Sequence, residues 1–150
     1  MTQRVDFFSV PPAYQALRQV HDYVQSTSLD KRLIHLIDIR ASQINGCAFC
    51  IDMHTKQARA AGESEQRLYT LSAWRETQFF TPQERAVLAL TEQVTRIADG
   101  GVSDAVYREL EPFFTPEQIV HLIMAVISIN SWNRIVLATG KQPAADPPSG

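Results

Sequence analysis

The sequence has no excess of positive charge. Its 150 residues include 14 lysines and arginines against 16 aspartates and glutamates, which gives a formal net charge of −2. A nucleic-acid partner would need clustered basic side chains to neutralise phosphates, and the sequence contains no basic run and no interleaved aromatic platform. We therefore do not expect the protein to bind nucleic acid.

Long hydrophobic runs are also scarce. The longest is IVHLIMAVISI over residues 119–129, which contains His121 and is shorter than the roughly 20 residues that a membrane-spanning helix needs. The opening stretch MTQRVDFFSV lacks the apolar core of a signal peptide. These features predict a soluble, cytoplasmic protein without a membrane partner. A hydrophobic content of 45% is sufficient for the core of one domain.

Only two cysteines are present, and they lie close together. Both fall within the stretch INGCAFCIDMH, residues 44–54, which also holds one of the four histidines. A lasting disulfide is uncommon in the reducing cytoplasm, and a bond between Cys47 and Cys50 would close a loop too short to remove much chain entropy. The pair is therefore predicted to bind a ligand or to cycle between redox states.

No segment alternates between apolar and polar residues with the period of a strand, whereas apolar residues recur at helical spacing along most of the chain. The sequence predicts an all-α domain of six or seven helices over residues 1–140. The tail over 141–150 is rich in proline and small residues and is predicted to be disordered. Predicted helix starts and caps are Pro11, Leu29 with a cap from the stretch 26–28, Cys47, Ser64 for a helix through residue 77, Thr81, Ser103 and Thr115, and the predicted helix ends include Gly46 and Gly140.

The cysteine pair is predicted to open a helix. If Gly46 ends one helix and Cys47 begins the next, the cysteines lie in a first helical turn, where the helix dipole lowers the pKa of a thiol. Helical spacing then places Cys47, Cys50 and His54 on one face, with a candidate base beside a candidate nucleophile. Two other interpretations stay open: a zinc site that adds the distant His35 to these three residues, and plain burial of two small apolar side chains. A thioredoxin-like site does not fit, because that motif follows a strand.

The stretch RASQINGCAFCIDMHTKQARAAGE, residues 40–63, resembles the core of the alkylhydroperoxidase D-like (AhpD-like) branch of the carboxymuconolactone decarboxylase superfamily. The resemblance extends more loosely from Pro11 to Gly140 and includes SWNRI at 131–135. It implies an all-α protein that assembles as a trimer or hexamer and reduces hydroperoxides through the CxxC pair. It also implies a dithiol reductant, such as a dihydrolipoyl protein, and a reaction that needs no metal, flavin or haem cofactor.

The resemblance assigns a role to each matching residue. It makes Cys50 the thiol that attacks the peroxide, Cys47 the thiol that resolves the product, and His54 the base of a proton relay. The relay glutamate is expected twelve residues before the first cysteine, and His35 stands there instead. His35 either takes over the proton transfer, with Asp38 to orient it or hold its charge, or marks a broken relay, or is a packed core histidine.

The main hypothesis from the sequence is therefore a thiol-dependent peroxidase. One alternative is a redox-sensing dithiol protein that is oxidised once without sustained turnover. Another is an enzyme of the carboxymuconolactone decarboxylase type, although those members generally lack the cysteine pair. The polar residues of the last predicted helix could line the pocket, but we interpret them as satisfied buried groups or subunit contacts: Ser128, Asn130, Asn133 and Arg134.

Overall fold

The computed structural model describes residues 2–148, and this part of the chain contains helices and no strand. The α-helices are α1 (Pro11–Ser26), α2 (Lys31–Asn45), α3 (Ala48–Ala60), α4 (Glu65–Thr70), α5 (Pro82–Thr95), α6 (Asp104–Leu110) and α7 (Pro116–Thr139). Three short 3-10 helices cover Phe7–Ser9, Leu71–Glu76 and Ile97–Asp99. The predicted all-α architecture is confirmed.

The two best-marked helix starts owe their positions to local sequence. The hydroxyl groups of Thr81 and Thr115 each accept a hydrogen bond from the backbone N–H three residues later, at 3.2 Å in both cases. The side chains of Glu84 and Gln118 in turn accept a hydrogen bond from the threonine N–H groups, which completes two capping boxes. A proline in the first turn of each helix fits, because its missing N–H would have no partner there.

The start of α2 differs from the prediction. The cap is Asp30, whose carboxylate accepts the N–H of Arg32 at 2.9 Å, and not a residue of the stretch 26–28. Thr27 has an extended backbone and ends α1 instead. An aspartate caps a helix as well as a serine does, so the nearer side chain takes the role and α2 begins two residues later than Leu29.

The prediction of one helix from Ser64 through residue 77 is also wrong in its second half. The α-helix ends at Thr70, and a 3-10 segment follows in which Ala73 has non-helical backbone angles. In this conformation the buried Trp74 donates its indole N–H to Glu92 of α5 at 2.9 Å. This contact between distant segments overrides the local helical periodicity.

Helices α2 and α7 form the centre of the domain. Helix α2 packs against α3, α5 and α7, while α1 covers another side of α7. Helix α7 has 24 residues and is long and apolar enough to cross a membrane by length and composition alone. The shorter apolar run over residues 119–129 did not predict this. Leu122, Val126 and Ile129 of α7 are buried in the domain, a pattern typical of the core helix of a soluble protein.

The segments before α1 and after α7 lie close to each other. The backbone N–H of Arg4 donates to the carbonyl of Thr139 at 2.7 Å. Gly140 ends α7 in the left-handed conformation, as predicted, and a Cβ on it would lie 2.9 Å from the carbonyl oxygen of Thr2. Residues 141–148 have no regular secondary structure, and positions 149 and 150 of the predicted disordered tail lie outside the described residues.

Candidate dithiol site

A left-handed glycine fixes the position of the cysteine pair. Gly46 ends α2 with a φ of 69°, and the N–H of Cys47 turns back to the carbonyl of Ser42 at 3.0 Å. Cys47 is therefore the N-cap of α3, and Cys50 lies in the first turn of that helix. The predicted location of the pair at a helix N-terminus is confirmed.

The two thiols share one hydrogen bond in a buried position. Cys47 and Cys50 are free cysteines, both are almost fully buried, and their sulfur atoms lie 2.9 Å apart. The hydrogen bond between the two sulfurs, followed by backbone N–H groups of the first turn, lowers the pKa of Cys47 to about 7. The same bond and burial raise the pKa of Cys50. Because one proton lies between the sulfurs, the pair loses its first proton as a unit, and the structure stabilises the resulting charge on Cys47.

An asparagine from α7 supports the pair. Asn133 is fully buried, donates to the Ser42 hydroxyl at 3.0 Å and accepts from Asn45 at 2.9 Å. Its amide also lowers the pKa of both cysteines by hydrogen bonding. The sequence interpretation of Asn133 as a satisfied buried group or subunit contact missed this relation to the thiols, because the residues involved are more than eighty positions apart.

His54 lies one helical turn after Cys50 and is buried. Its Nδ1 atom is 3.5 Å from the Asp38 Oδ2 atom, a distance at which no regular hydrogen bond forms. Burial lowers the pKa of His54 to about 4, so the ring is neutral at neutral pH and can accept a proton. No hydrogen bond joins His54 to either cysteine within residues 2–148, although His54 and Cys50 line the same cavity.

The structure changes the interpretation of Asp38. The side chain was expected to orient His35 or hold its charge, but no ion pair or hydrogen bond joins these two residues in the described part of the chain. The Asp38 carboxyl group faces His54 instead. Burial raises its pKa well above the ordinary value. Asp38 and His35 lie three positions apart on α2, but the packing of α3 against α2 decides which histidine meets the carboxyl group.

His35 is half-buried, and its Nδ1 atom has no hydrogen-bond partner among residues 2–148. Burial lowers its pKa, and its proximity in turn lowers the pKa of His54. His35 does not line the cavity that reaches Cys50. In the same range of residues, no three histidine, cysteine, aspartate or glutamate side chains converge on a position that could hold a metal ion.

A cavity of about 230 Å³ is lined by Cys50 and His54 but not by Cys47. Its wall is mostly apolar, and its lining consists of Phe7, Phe8, Tyr14, Arg18, His21, Phe49, Cys50, Met53, His54, Gln57, Trp132 and Val136. The rings of Tyr14 and Trp132 meet edge to face, with centroids 5.8 Å apart, and Phe7 packs on Trp132 in the same way. No pattern in the sequence predicts that the segment before α1, which contributes Phe7 and Phe8, lines the site.

The arrangement thus combines a reduced dithiol, a neutral histidine and an apolar chamber in an all-helical domain. Residues 11–93 match the carboxymuconolactone decarboxylase family. The protein YdfG of Bacillus subtilis, whose function is uncharacterised, is 42% identical over 146 residues, or 97% of this chain and 99% of YdfG. The alkyl hydroperoxide reductase AhpD of Bradyrhizobium diazoefficiens is 34% identical over 61 residues, which cover 39% of this chain and 34% of AhpD.

A solved structure shows the same fold over nearly the whole chain. The protein ATU0492 of Agrobacterium tumefaciens has unknown function and has been proposed to be the antioxidant defence protein AhpD. It superposes with a TM-score of 0.94 at 42% identity and covers 97% of this chain and 100% of its own. The chain therefore belongs to the carboxymuconolactone decarboxylase family, within its AhpD-like branch.

Proposed function

We propose that the protein is a dithiol peroxidase that reduces organic hydroperoxides. The observation that carries this proposal is the cavity wall: Cys50 and His54 line the same apolar chamber, while Cys47 does not line it and its sulfur lies 2.9 Å from that of Cys50. A thiol that attacks a substrate must be reachable from the chamber, and a thiol that resolves the product need only reach its partner. This division supports Cys50 as the attacking residue and Cys47 as the resolving residue.

The pKa directions place the first negative charge of the pair on Cys47, so attack by Cys50 requires a proton transfer between the two sulfurs. The pair is ionised near neutral pH through the low pKa of Cys47, and the proton moves from Cys50 to Cys47 across the bond between the sulfurs. The Cys50 thiolate then attacks the peroxide, an S–O bond forms and the O–O bond breaks. Cys50 becomes a sulfenic acid, and the peroxide leaves as an alcohol once its oxygen has gained a proton.

The second half of the cycle restores the dithiol. The Cys47 thiol attacks the Cys50 sulfenic acid, which forms the disulfide and releases water. A small dithiol reductant, such as a dihydrolipoyl group, then reduces the disulfide and is itself oxidised. No step of this cycle requires a metal, flavin or haem. A protein that depends on reduced thiols suits a reducing compartment such as the cytoplasm.

The chamber favours a substrate with an apolar body. Five aromatic side chains and Met53 line the wall, so a hydroperoxide with a hydrocarbon group buries apolar surface there, whereas hydrogen peroxide cannot. We therefore expect kcat/KM to be higher for an aromatic hydroperoxide than for hydrogen peroxide. The chamber volume of about 230 Å³ limits the substrate to a small molecule.

A homo-oligomer, trimer or hexamer, is part of the same proposal. Helix α7 is apolar on more than its core face, and Val120, Ile127 and Leu137 are exposed in the single chain. Exposed apolar side chains along one helix favour a subunit contact. Size-exclusion chromatography with light scattering gives the mass directly, and a monomer at micromolar concentration would contradict this part of the proposal.

Matched cysteine variants test the peroxidase proposal. Cys50→Ser should consume no hydroperoxide, whereas Cys47→Ser should consume about one equivalent and then stop, because its sulfenic acid cannot form the internal disulfide. Wild type should continue to turn over with a dithiol donor. Reversal of the two variants would exchange the roles of the cysteines. Turnover by Cys50→Ser at the wild-type rate would refute the mechanism.

The same experiment separates the redox-sensor alternative. A sensor would be oxidised to the disulfide once by the peroxide, with no sustained consumption in the presence of the donor. An enzyme of the carboxymuconolactone decarboxylase type would instead act on a carboxylated lactone without any need for Cys50, so activity of the Cys50→Ser variant on that substrate would favour it.

A further inference from the structure

The Asp38 carboxyl group is buried without the partners that such a group normally has. It lies on α2, its residue is 9% exposed, and within residues 2–148 no arginine, lysine or hydrogen-bond donor compensates it. The His54 ring lies 3.5 Å from it, and the charge of Asp38 is also near enough to Cys50 to raise the pKa of that thiol. Burial of an uncompensated carboxyl group costs free energy, and such groups are concentrated at functional sites.

The position of His54 connects this carboxyl group to the cavity. Its Nδ1 atom faces Asp38, so its other nitrogen, Nε2, points away from Asp38, and the ring forms part of the wall beside Cys50. Asp38, His54 and the chamber thus follow one another in a line across the packed faces of α2 and α3. A proton passed from Asp38 to His54 Nδ1 would therefore allow His54 Nε2 to give its proton to a peroxide bound near Cys50.

From this geometry we infer that Asp38 and His54 act as a proton relay to the oxygen that leaves the peroxide. The inference rests on the proposed peroxidase function and adds to it the source of the leaving-group proton. It also assigns the relay carboxyl group to Asp38, one helical turn after His35. His54 is the catalytic residue of the pair, and Asp38 acts through it as a positioning and proton-supplying residue.

The step balances in atoms and charge. The Cys50 thiolate forms the S–O bond, the O–O bond breaks, and the alkoxide takes a proton from His54 Nε2 while His54 Nδ1 takes the proton of the Asp38 carboxyl group. The products are the sulfenic acid, the alcohol and the Asp38 carboxylate. When a dithiol donor later reduces the disulfide, one of its two protons returns to Asp38 and the other stays on the shared thiol pair.

The groups around Asp38 and His54 shift the two pKa values in directions that favour proton transfer from Asp38 to His54. Burial raises the pKa of Asp38 and lowers that of His54, so the proton rests on the carboxyl group before reaction. His35 on α2 and His21 on α1 also face His54 and lower its pKa further, while Gln57 of α3 opposes them by a hydrogen bond. The Asp38 to His54 distance must shorten in the substrate complex, as catalytic hydrogen bonds of ligand-free enzymes commonly do.

Two peroxides with different leaving groups test the relay. An alkyl hydroperoxide leaves as a strongly basic alkoxide that needs a proton, whereas a peroxycarboxylic acid leaves as a weakly basic carboxylate that does not. With a dithiol donor and the full chain, Asp38→Asn should lower kcat/KM for the alkyl hydroperoxide by roughly 100-fold and change kcat/KM for the peroxycarboxylic acid little. Asp52→Asn, at a surface aspartate of α3 that pairs with Lys56, is the matched control and should change neither value.

The outcomes distinguish the relay from the peroxidase function itself. If wild type consumes neither peroxide, the proposed function fails. If wild type is active and Asp38→Asn loses both substrates equally, or neither, the relay is overturned. His54→Gln serves as a second variant that keeps Asp38 in place should Asp38→Asn fail to fold. It should show the same selective loss, and an equal loss with both peroxides would overturn the relay.

Discussion

Two buried carboxyl groups on neighbouring helices of this domain have opposite environments. Glu92 of α5 accepts hydrogen bonds from Arg40 at 3.0 Å, from the Trp74 indole at 2.9 Å and from Arg75. Asp38 of α2 receives none within the described residues, and the His54 ring lies 3.5 Å from it. Both residues are about equally hidden from solvent, at 8% and 9% exposure.

The difference shows that partners, and not burial, decide what a carboxyl group does. Burial opposes the charge of Glu92, but the hydrogen bonds from Arg75, Trp74 and Arg40 outweigh it, and its pKa lies below the ordinary value. Burial acts unopposed on Asp38, and its pKa is raised. Glu92 is thus a charged group that holds α2, α5 and the 3-10 segment together, whereas burial of Asp38 without such donors favours the neutral form of its carboxyl group.

The largest effect is expected at Glu92. Glu92→Gln removes the charge that compensates the buried Arg40 guanidinium, and the free energy of unfolding should fall by about 3–5 kcal/mol. Chemical denaturation measures this loss. Glu117→Gln, at a side chain that is 84% exposed, is the control and should have almost no effect. A loss for Glu92→Gln no larger than the control would mean that the cluster does not hold these segments together.

A smaller effect is expected when one donor to Glu92 is removed. Trp74→Phe keeps an aromatic ring under Arg75 but deletes the hydrogen bond from the indole N–H, and it should cost roughly 1.5–3 kcal/mol. Trp132, whose indole N–H makes no hydrogen bond within residues 2–148, offers the matched control. Equal losses in Trp74→Phe and Trp132→Phe, measured by denaturation, would assign the effect to ring size alone.

The contributions of Glu92 and Asp38 to stability should change with pH in opposite directions. The folded-state pKa of Glu92 is lowered, so its contribution is present above the unfolded value and is lost as the pH falls through the folded value. The folded-state pKa of Asp38 is raised, so its neutral form costs nothing at low pH and stability declines as the pH rises from the ordinary carboxyl range toward the folded value. Thermal melting across pH measures both effects. Glu92→Gln should reduce the loss of stability at falling pH, and Asp38→Asn should reduce the loss of stability at rising pH.

The smallest change in stability is expected at Asp38. Asp38→Asn deletes a carboxyl group that has no cationic partner, so the free energy of unfolding near neutral pH should stay within about 1 kcal/mol of wild type or increase. The same denaturation experiment as for Glu92→Gln gives the value. A loss comparable to that of Glu92→Gln would remove the distinction between the two carboxyl groups and show that Asp38 is structural.

The sequence predicted those features that depend on neighbours three or four positions apart. The caps at Thr81 and Thr115, the helix end at Gly46 and the location of the cysteine pair at a helix start are confirmed. Each of these follows from backbone groups that must find a partner within one helical turn. The placement of His54 on the cavity side of α3 agrees with the same spacing.

The features that the sequence could not predict are contacts between distant segments. Helical spacing places Asp38 near His35, and one of the three interpretations of His35 relies on that contact, but the packing of α3 brings His54 to the carboxyl group. The kink at Ala73 follows from the bond between Trp74 and Glu92, eighteen positions apart. Helical periodicity carries no information about which faces of two helices meet, so such pairings require the folded structure.

The packing of Phe7 on Trp132 gives the chamber an optical property. An indole ring in contact with another aromatic ring at the cavity wall has a fluorescence that depends on whether the chamber is filled and whether the segment over residues 7–9 stays in place. The other tryptophan, Trp74, lies in the separate Glu92 cluster. In a Trp74→Phe background, therefore, the emission of Trp132 alone would report the arrival of a substrate beside Cys50 in real time, before any bond is broken.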